Sequence, residues 1–338
     1  MISYIIRRVL GFIPVLFGVA LFTFVLVRAI PGGPFDTAGD RQLPPQVVAN
    51  INAQYHLDWP VWKQFASYLV GDDILGEEGN SRGLIRGDLG VSTKYRGQPV
   101  QELIGTSFPV SAQLGVMSLL LALIIGIPTG TIAALRQNSV VDYTATFAAV
   151  FFLSVPNLVL APLLIWIFAL KLGWLPVATW GSKPPYLLGF LPNFSDLNLT
   201  YFKHAVLPVF ALGTASAAGI ARLTRASLLQ VIREDYIRTA RAKGLKERTV
   251  IVIHALKNSL IPVVTILGPA FAALVTGTFV VEQIFGINGM GKHFVQSVGN
   301  RDYPILMGVT LIYSLLLIMA NLVVDISYAV LDPRIRYD

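Results

Sequence analysis

Six apolar blocks, each close to the length needed to cross a bilayer, constrain this chain more than any other feature. They run over 9–30, 109–135, 143–170, 204–220, 259–281 and 304–331. A spanning helix needs about 20 apolar residues, because a rise of about 1.5 Å per residue must cover about 30 Å of hydrocarbon. Lipid offers backbone N–H and C=O groups no partner, so each block must close its own hydrogen bonds as a helix. The expected class is an all-α integral membrane protein with six transmembrane helices. Charged residues are only 13% of the chain, against about 25% in a soluble domain. The first block follows Arg7 and Arg8 and leaves through Arg28-Ala-Ile-Pro-Gly-Gly-Pro. It is too long for a signal peptide, and it reads as a retained span.

Six spans place both termini on one side, and the basic residues of the short loops choose it. Arg7, Arg8, Arg136, the nine Lys and Arg residues from Arg222 to Lys257, Arg334 and Arg336 fall at one end. The short loops at the other end carry Lys171, Lys183, Lys203, Lys292 and Arg301. Both termini are therefore expected in the cytoplasm. The net charge of +7 is explained by orientation in the bilayer rather than by a nucleic-acid partner. The chain divides into an N-terminal stub with the first span (1–30), an extracytoplasmic loop (31–106), a core of five spans (107–331) and a cytoplasmic tail (332–338).

The polar stretch from Arg233 to Pro262 interrupts the apolar blocks on the cytoplasmic side. Read as helix over about 231–246, it places Ile232, Tyr236, Ile237, Ala240 and Gly244 on one face. Arg233, Arg238, Arg241, Lys243 and Lys246 surround that face. Gly244 after Arg241 and Lys243 is helix-stop chemistry: a left-handed position preceded by cations at the carbonyl end. The pattern admits two readings, an amphipathic helix resting on anionic headgroups or a docking lever for a soluble motor.

The outer loop is too long to be a simple connector. LPPQVVANINAQYHLDW opens like a helix, and VWKQFASYLVG sets Trp62, Phe65, Tyr68 and Leu69 at helical spacing. GDDILGEEGNSRGLIRGDLG reads as a mobile loop. The loop serves as a receptor platform, as a cap on the span ends, or as both.

Gly286-Ile-Asn-Gly-Met-Gly-Lys-His293 nearly spells a nucleotide-binding loop. However, His293 stands where Ser or Thr must bind Mg²⁺, and no strand precedes it. A tight turn leading a short re-entrant helix is the better reading. No other catalytic motif occurs, no cysteine is present, and the four histidines lack metal-ligand spacing. The chain is therefore expected to be neither ATPase nor hydrolase, with no metal site and no catalytic residue.

Within the spans, Gly126-Ile-Pro-Thr-Gly130 suits close helix packing, and Pro128, Pro156 and Pro162 should bend their helices. Polar residues there are candidates for a translocation path, since burying them in lipid is costly. They are Gln113, Asn157, Thr265, Thr276, Thr278, Glu282, Asn321 and Asp325, with Gln113, Asn157, Thr276, Thr278 and Glu282 carried forward as path residues. Most hydroxyls should bond their own helix, Asp325 should pair with an arginine, and Arg28 should snorkel.

The basic stretch resembles the EAA loop of importer-type ABC permeases, in which a short cytoplasmic helix sits in a cleft of the ATPase. Arg238, Thr239 and Ala240 stand for the E-A-A triplet, Gly244 for its glycine and Leu256 for the leucine twelve residues on. Arg replaces Glu, Thr replaces the first Ala, and Lys257 stands where the general motif has Pro. DYIRTARAKGL followed by HALKNSLIP is the form typical of peptide-importer permeases. RRVLGFIPVLFGVALFTFVLVRAIPGGPF, GDLGVS, SFPVSAQLG, PTGTIAALRQNSVVDY and LDPRIRYD extend the resemblance over nearly the whole chain, to the B-type permeases of oligopeptide and dipeptide importers. DDILGEEGNSRGLIR departs from that pattern.

The resemblance implies a type I ABC importer (MetI-like) permease fold in a bacterial or archaeal cytoplasmic membrane. It implies a homologous C-type permease, two ATPase subunits that bind the ATP and Mg²⁺, and an extracytoplasmic peptide-binding protein as partners. It assigns Tyr236, Arg238, Thr239, Ala240, Arg241, Ala242, Lys243 and Gly244 to the ATPase contact, with Tyr236, Ala240 and Gly244 in the groove. Dipeptide, nickel-chelate, murein-peptide or oligosaccharide cargo stays open within that class. A secondary transporter is the rival outside it, but the inverted repeats and mid-membrane charges usual there are missing.

Overall fold

A computed structural model of the chain describes residues 2–29, 46, 52, 56–77, 79, 81–95, 97–177, 186–187, 191–192, 199–276 and 279–331. The described elements are almost all helical. In chain order they are α1 (Ile2–Ala29), α2 (Val61–Val70), α3 (Val100–Leu135), α4 (Val140–Ser154), α5 (Asn157–Leu164), α6 (Leu199–Val231), α7 (Asp235–Ala242), α8 (Glu247–Thr249), α9 (Ile261–Thr276), α10 (Phe279–Ile284), α11 (Met290–Asn300) and α12 (Tyr303–Leu331). A two-stranded antiparallel ribbon pairs β1 (Tyr186–Leu187) with β2 (Leu191–Pro192). The expected helix within LPPQVVANINAQYHLDW falls largely outside the described residues.

Among the described residues, five helical stretches are long and apolar enough to span a membrane, and α4 with the α5 segment makes a sixth if that bent pair is one span. The continuous third span expected from the sequence is broken. α4 ends at Ser154, Val155 and Pro156 are extended, and the two helices turn by 104°. Proline bars the residue before it from helical geometry and has no N–H to continue the ladder, so the break falls at Val155-Pro156. Pro162 lies inside α5, which passes into π-helical turns at Ile165–Lys171.

The chain divides into two compact units. One comprises residues 1–8, 109–289 and 316–338. Its core joins Val110 and Leu114 of α3, Leu160, Ala161 and Leu164 of α5, Leu207 and Leu212 of α6, and Val281 and Phe285. Lipid tails are as apolar as leucine, so contact between spans depends on close packing. The glycine pair provides it. A Cβ on Gly126 would strike the Ala217 carbonyl and Ile220 of α6, and one on Gly130 would strike the Ala221 carbonyl and Thr224. Arg8 pairs with Asp325 at 2.7 Å, the arginine partner that the sequence called for.

The other unit comprises residues 9–108 and 290–315. Ala20 of α1, Leu89, Val100 and Ile104 of α3, Met290, and Ile305 and Val309 of α12 form its main cluster. The segment expected to be a mobile loop, 71–90, is tied down by its own buried Asp72, and the residues just after it by the buried Asp302. Asp72 accepts hydrogen bonds from the Ser67 hydroxyl and the Ser81 N–H. Asp302 accepts from the Ser92 hydroxyl at 2.5 Å and from the N–H groups of Thr93 and Lys94. Each carboxylate satisfies backbone donors that a buried loop would otherwise leave unpaired.

Candidate functional site

The basic stretch folds as a helix shorter than the sequence suggests. α6 ends at Val231, a turn occupies Ile232–Glu234, and α7 covers only Asp235–Ala242. Glu234 and Asp235 put negative charge at its N-terminus, where the helix dipole favours it. At the other end Gly244 takes φ +73°, the left-handed turn read from the sequence. α8 follows at Glu247 and continues through π-helical turns at Val250–Leu256.

The two sides of α7 do different things. Ile237 and Ala240 are buried against Leu228, Val250, Ala255 and Ala134. Tyr236, Arg238, Thr239, Arg241, Ala242, Lys243 and Gly244 face outward. This divides the single small-residue face expected from the pattern. Ala240, assigned above to a partner's groove, turns inward and holds the helix to its own chain. The stripe buried by Ile237 and Ala240 is narrow, and Tyr236, about 100° around the axis from Ile237, falls at its edge.

Two side-chain bridges brace the helix. Arg241 meets Glu247 with both Nε (3.1 Å) and Nη2 (2.7 Å), closing the turn around Gly244. The guanidinium holds the Glu247 carboxyl below the usual carboxylate range. Asn258 Nδ2 donates to the Tyr236 hydroxyl at 2.8 Å. Arg238 stays at the surface, donating to the Arg233 carbonyl at 3.2 Å. Thr239 bonds back to the Asp235 carbonyl.

The proposed path residues do not gather on one surface. Gln113 is buried and accepts from the Tyr201 hydroxyl at 2.8 Å. Glu282, expected on the path, is 1% exposed and accepts from the Ser111 hydroxyl at 2.7 Å. Gly289 closes this pocket, since a Cβ there would strike both the Glu282 carboxylate and the Ser111 hydroxyl. Both polar groups find partners within the chain, Tyr201 of α6 for Gln113 and Ser111 of α3 for Glu282. Asn157 begins α5 directly after the Pro156 break and is partly exposed. Thr276 ends α9, its side chain beyond the described residues, and Thr278 lies outside them. Thr265 bonds its own helix at Ile261, as expected.

Gly289 of the glycine-rich turn at 286–291 sits beside the Glu282 carboxyl group. The turn follows α10 rather than a strand and leads into α11, the short helix expected there. Among those residues no cluster of His, Asp or Glu could hold a metal. Arg28 Nε donates to Gln64 Oε1 at 2.8 Å, with the guanidinium 3.4 Å over the Phe24 ring.

The strongest polar contact within the unit that carries α7 was missed in the sequence. Arg225 of α6 grips Asp142 of α4 with Nε at 2.6 Å and Nη2 at 2.7 Å. Ser139 caps α4 by accepting from the Asp142 N–H, and the Asp142 carboxylate in turn accepts from the Asn138 N–H. The Ser139 cap was a legible local signal. The arginine, 83 residues away, was not.

Comparison with known proteins decides the family. "Binding-protein-dependent transport system inner membrane component" matches residues 126–337, and the N-terminal region of such membrane components matches residues 1–115. The chain belongs to this family. The permease is 41% identical over 338 residues to the oligopeptide transport system permease protein OppB of Haemophilus influenzae, with 100% of both chains covered. It is 43% identical over 337 residues to OppB of Escherichia coli, again with 100% of both covered. The dipeptide transport system permease protein DppB of Bacillus subtilis is 42% identical over 336 residues, covering 99% of this chain and 98% of the relative. A crystal structure of the MetNI methionine ABC transporter in an inward-facing conformation contains a chain that superposes with a TM-score of 0.53 at 16% identity, over 69% of this permease and 97% of that chain. The permease shares that chain's fold. It is a multi-pass inner-membrane component of a binding-protein-dependent transport system.

Proposed function

We propose that this permease forms half of the translocation path of an ATP-driven oligopeptide importer. Identity of 41–43% along the entire length of oligopeptide permeases is the observation that carries this reading. The B. subtilis relative at 42% supports dipeptides as the second reading of the same site.

On this account the chain pairs with a homologous permease and couples to two ATPase subunits, which bind the ATP and Mg²⁺. An extracytoplasmic binding protein delivers the peptide and sets much of the cargo choice. Both termini and α7 lie in the cytoplasm, in keeping with the basic residues of the loops. The outward face of α7, from Tyr236 and Thr239 to Lys243 and Gly244, enters the ATPase cleft while Arg238 contacts its rim. Ile237 and Ala240 transmit the movement by their packing on Leu228 and Val250. Arg241 stiffens the lever through Glu247.

The test is to tag the permease, purify it from its native membrane and identify what accompanies it by mass spectrometry, with ATP-dependent uptake measured in proteoliposomes. A second permease, two ATPases and uptake of peptides longer than two residues are expected. Uptake that persists without ATP, in the chain alone, would overturn the reading. Gly244→Trp is expected to abolish uptake while leaving membrane insertion intact, and normal uptake by that variant refutes the role of α7.

A further inference from the structure

Helix α2 has its polarity turned inside out for a helix in water. Its polar residues Gln64 and Ser67 are 8% and 5% exposed. Both are used inside: Gln64 accepts from Arg28 and donates to the Trp59 carbonyl at 2.8 Å, and Ser67 donates to Asp72. Its outermost residues are apolar, Trp62 at 72% and Val61 at 54% exposed. A helix facing water buries its apolar stripe and exposes polar residues. A helix facing lipid does the reverse.

The position of α2 matches that polarity. Phe65 lies edge-on to two rings of α1, 5.0 Å from Phe24 and 5.8 Å from Phe17. Tyr68 lies 6.2 Å from Phe24, and both Phe65 and Tyr68 pack against the cluster that Phe24 and Val27 form with Tyr303 and Met307 of α12. α1 carries no charge between Arg8 and Arg28, a stretch about 30 Å long and so the thickness of the hydrocarbon core. Phe17 precedes Arg28 by eleven residues, which sets it about 16 Å further along the axis. A helix touching both Phe24 and Phe17 therefore lies at membrane depth, against two spans. At its N-terminal end Lys63 Nζ sits 4.1 Å over the Trp59 ring and 2.6 Å from Glu77, which places charge and indole together as at a headgroup boundary.

We propose that α2 is embedded in the bilayer leaflet at the Arg28 end of α1, with Val61 and Trp62 against lipid. The segment between the first two spans then anchors itself in the membrane instead of standing wholly in water as an extracytoplasmic loop. The sequence has no cysteine, so each single probe is the only label this chain carries, and complex with the unsubstituted chain gives the background of the other subunits. Spin labels at V61C and W62C, and at R82C as the reference in water, are read in the purified transport complex in nanodiscs. Accessibility to oxygen, which concentrates in lipid, is compared with accessibility to a water-soluble nickel chelate. Oxygen is expected to dominate at 61 and 62, with the order reversed at 82. Dominance of the chelate at 61 and 62 overturns the proposal by putting α2 in water. Protection from both reagents overturns it by showing that another protein surface covers the helix.

Discussion

Removing Arg225 should damage this permease more than removing the aspartate it holds. The Asp142 side chain is 3% exposed, whereas Arg225 is 29% exposed. Arg225→Ala deletes two charge-assisted hydrogen bonds, of 2.6 and 2.7 Å. It leaves a buried carboxylate with the Asn138 N–H and the weaker Thr146 contact at 3.5 Å. Stranding one member of a buried pair costs about 3–5 kcal/mol. Asp142→Ala strands a guanidinium that can still reach solvent, and should cost about 1–3 kcal/mol, in the range for a lost hydrogen bond to a charged group. Lysine at 225 keeps the charge but loses the bidentate fork, so it should rescue only in part. Replacing both residues by apolar ones of similar size should recover much of the loss. Reversible unfolding in mixed micelles, run as a double-mutant cycle, measures each value. A coupling energy below about 0.5 kcal/mol, or an Arg225→Ala loss no larger than that of Asp142→Ala, refutes the argument that this pair clamps α4 to α6.

Two further outcomes follow from the same geometry. Glu247 is held ionised by Arg241, so its folded pKa is depressed and its stabilisation is present at neutral pH, above the unfolded carboxylate pKa of about 4.3. It fades as pH falls below that value through the folded pKa. The melting temperature of wild type should therefore exceed that of Glu247→Gln at pH 7 and converge with it in acid; a constant difference across pH contradicts the bridge. Gly289→Ala forces a methyl group against Glu282 and Ser111 and should cost about 1–3 kcal/mol. A second change, Glu282→Ala, should relieve part of that cost in thermal unfolding, and strictly additive losses would show that the two do not touch.

Hydropathy alone made most of the architecture legible, because lipid forces every spanning segment into helix and leaves length as the main variable. The glycines at 126 and 130, the stop at Gly244, the arginine partner of Asp325 and the helix at Val61–Val70 were legible for similar local reasons. The proline signal at 156 was visible too, but its size was not, since a bend of 104° depends on what packs on either side. Polar residues within the spans were the hardest to place. Glu282 and Gln113 read as path candidates because a lone polar group in lipid demands a partner, and sequence cannot say whether that partner is cargo, water or a side chain far along the chain. In the folded chain Ser111 and Tyr201 reach them from 171 and 88 residues away.

By itself, then, the sequence determined that this is a helical membrane protein with a basic helix between two spans, since those features depend on periodicity, length and local charge. Only the tertiary structure decided which face of that helix is free, which polar groups are internal fasteners, and that α2 exposes its apolar side. Those outcomes depend on neighbours distant in sequence: Ala134, Leu228, Val250 and Ala255 enclose Ile237 and Ala240, while Tyr236, at the edge of the same stripe, meets Asn258 at the surface.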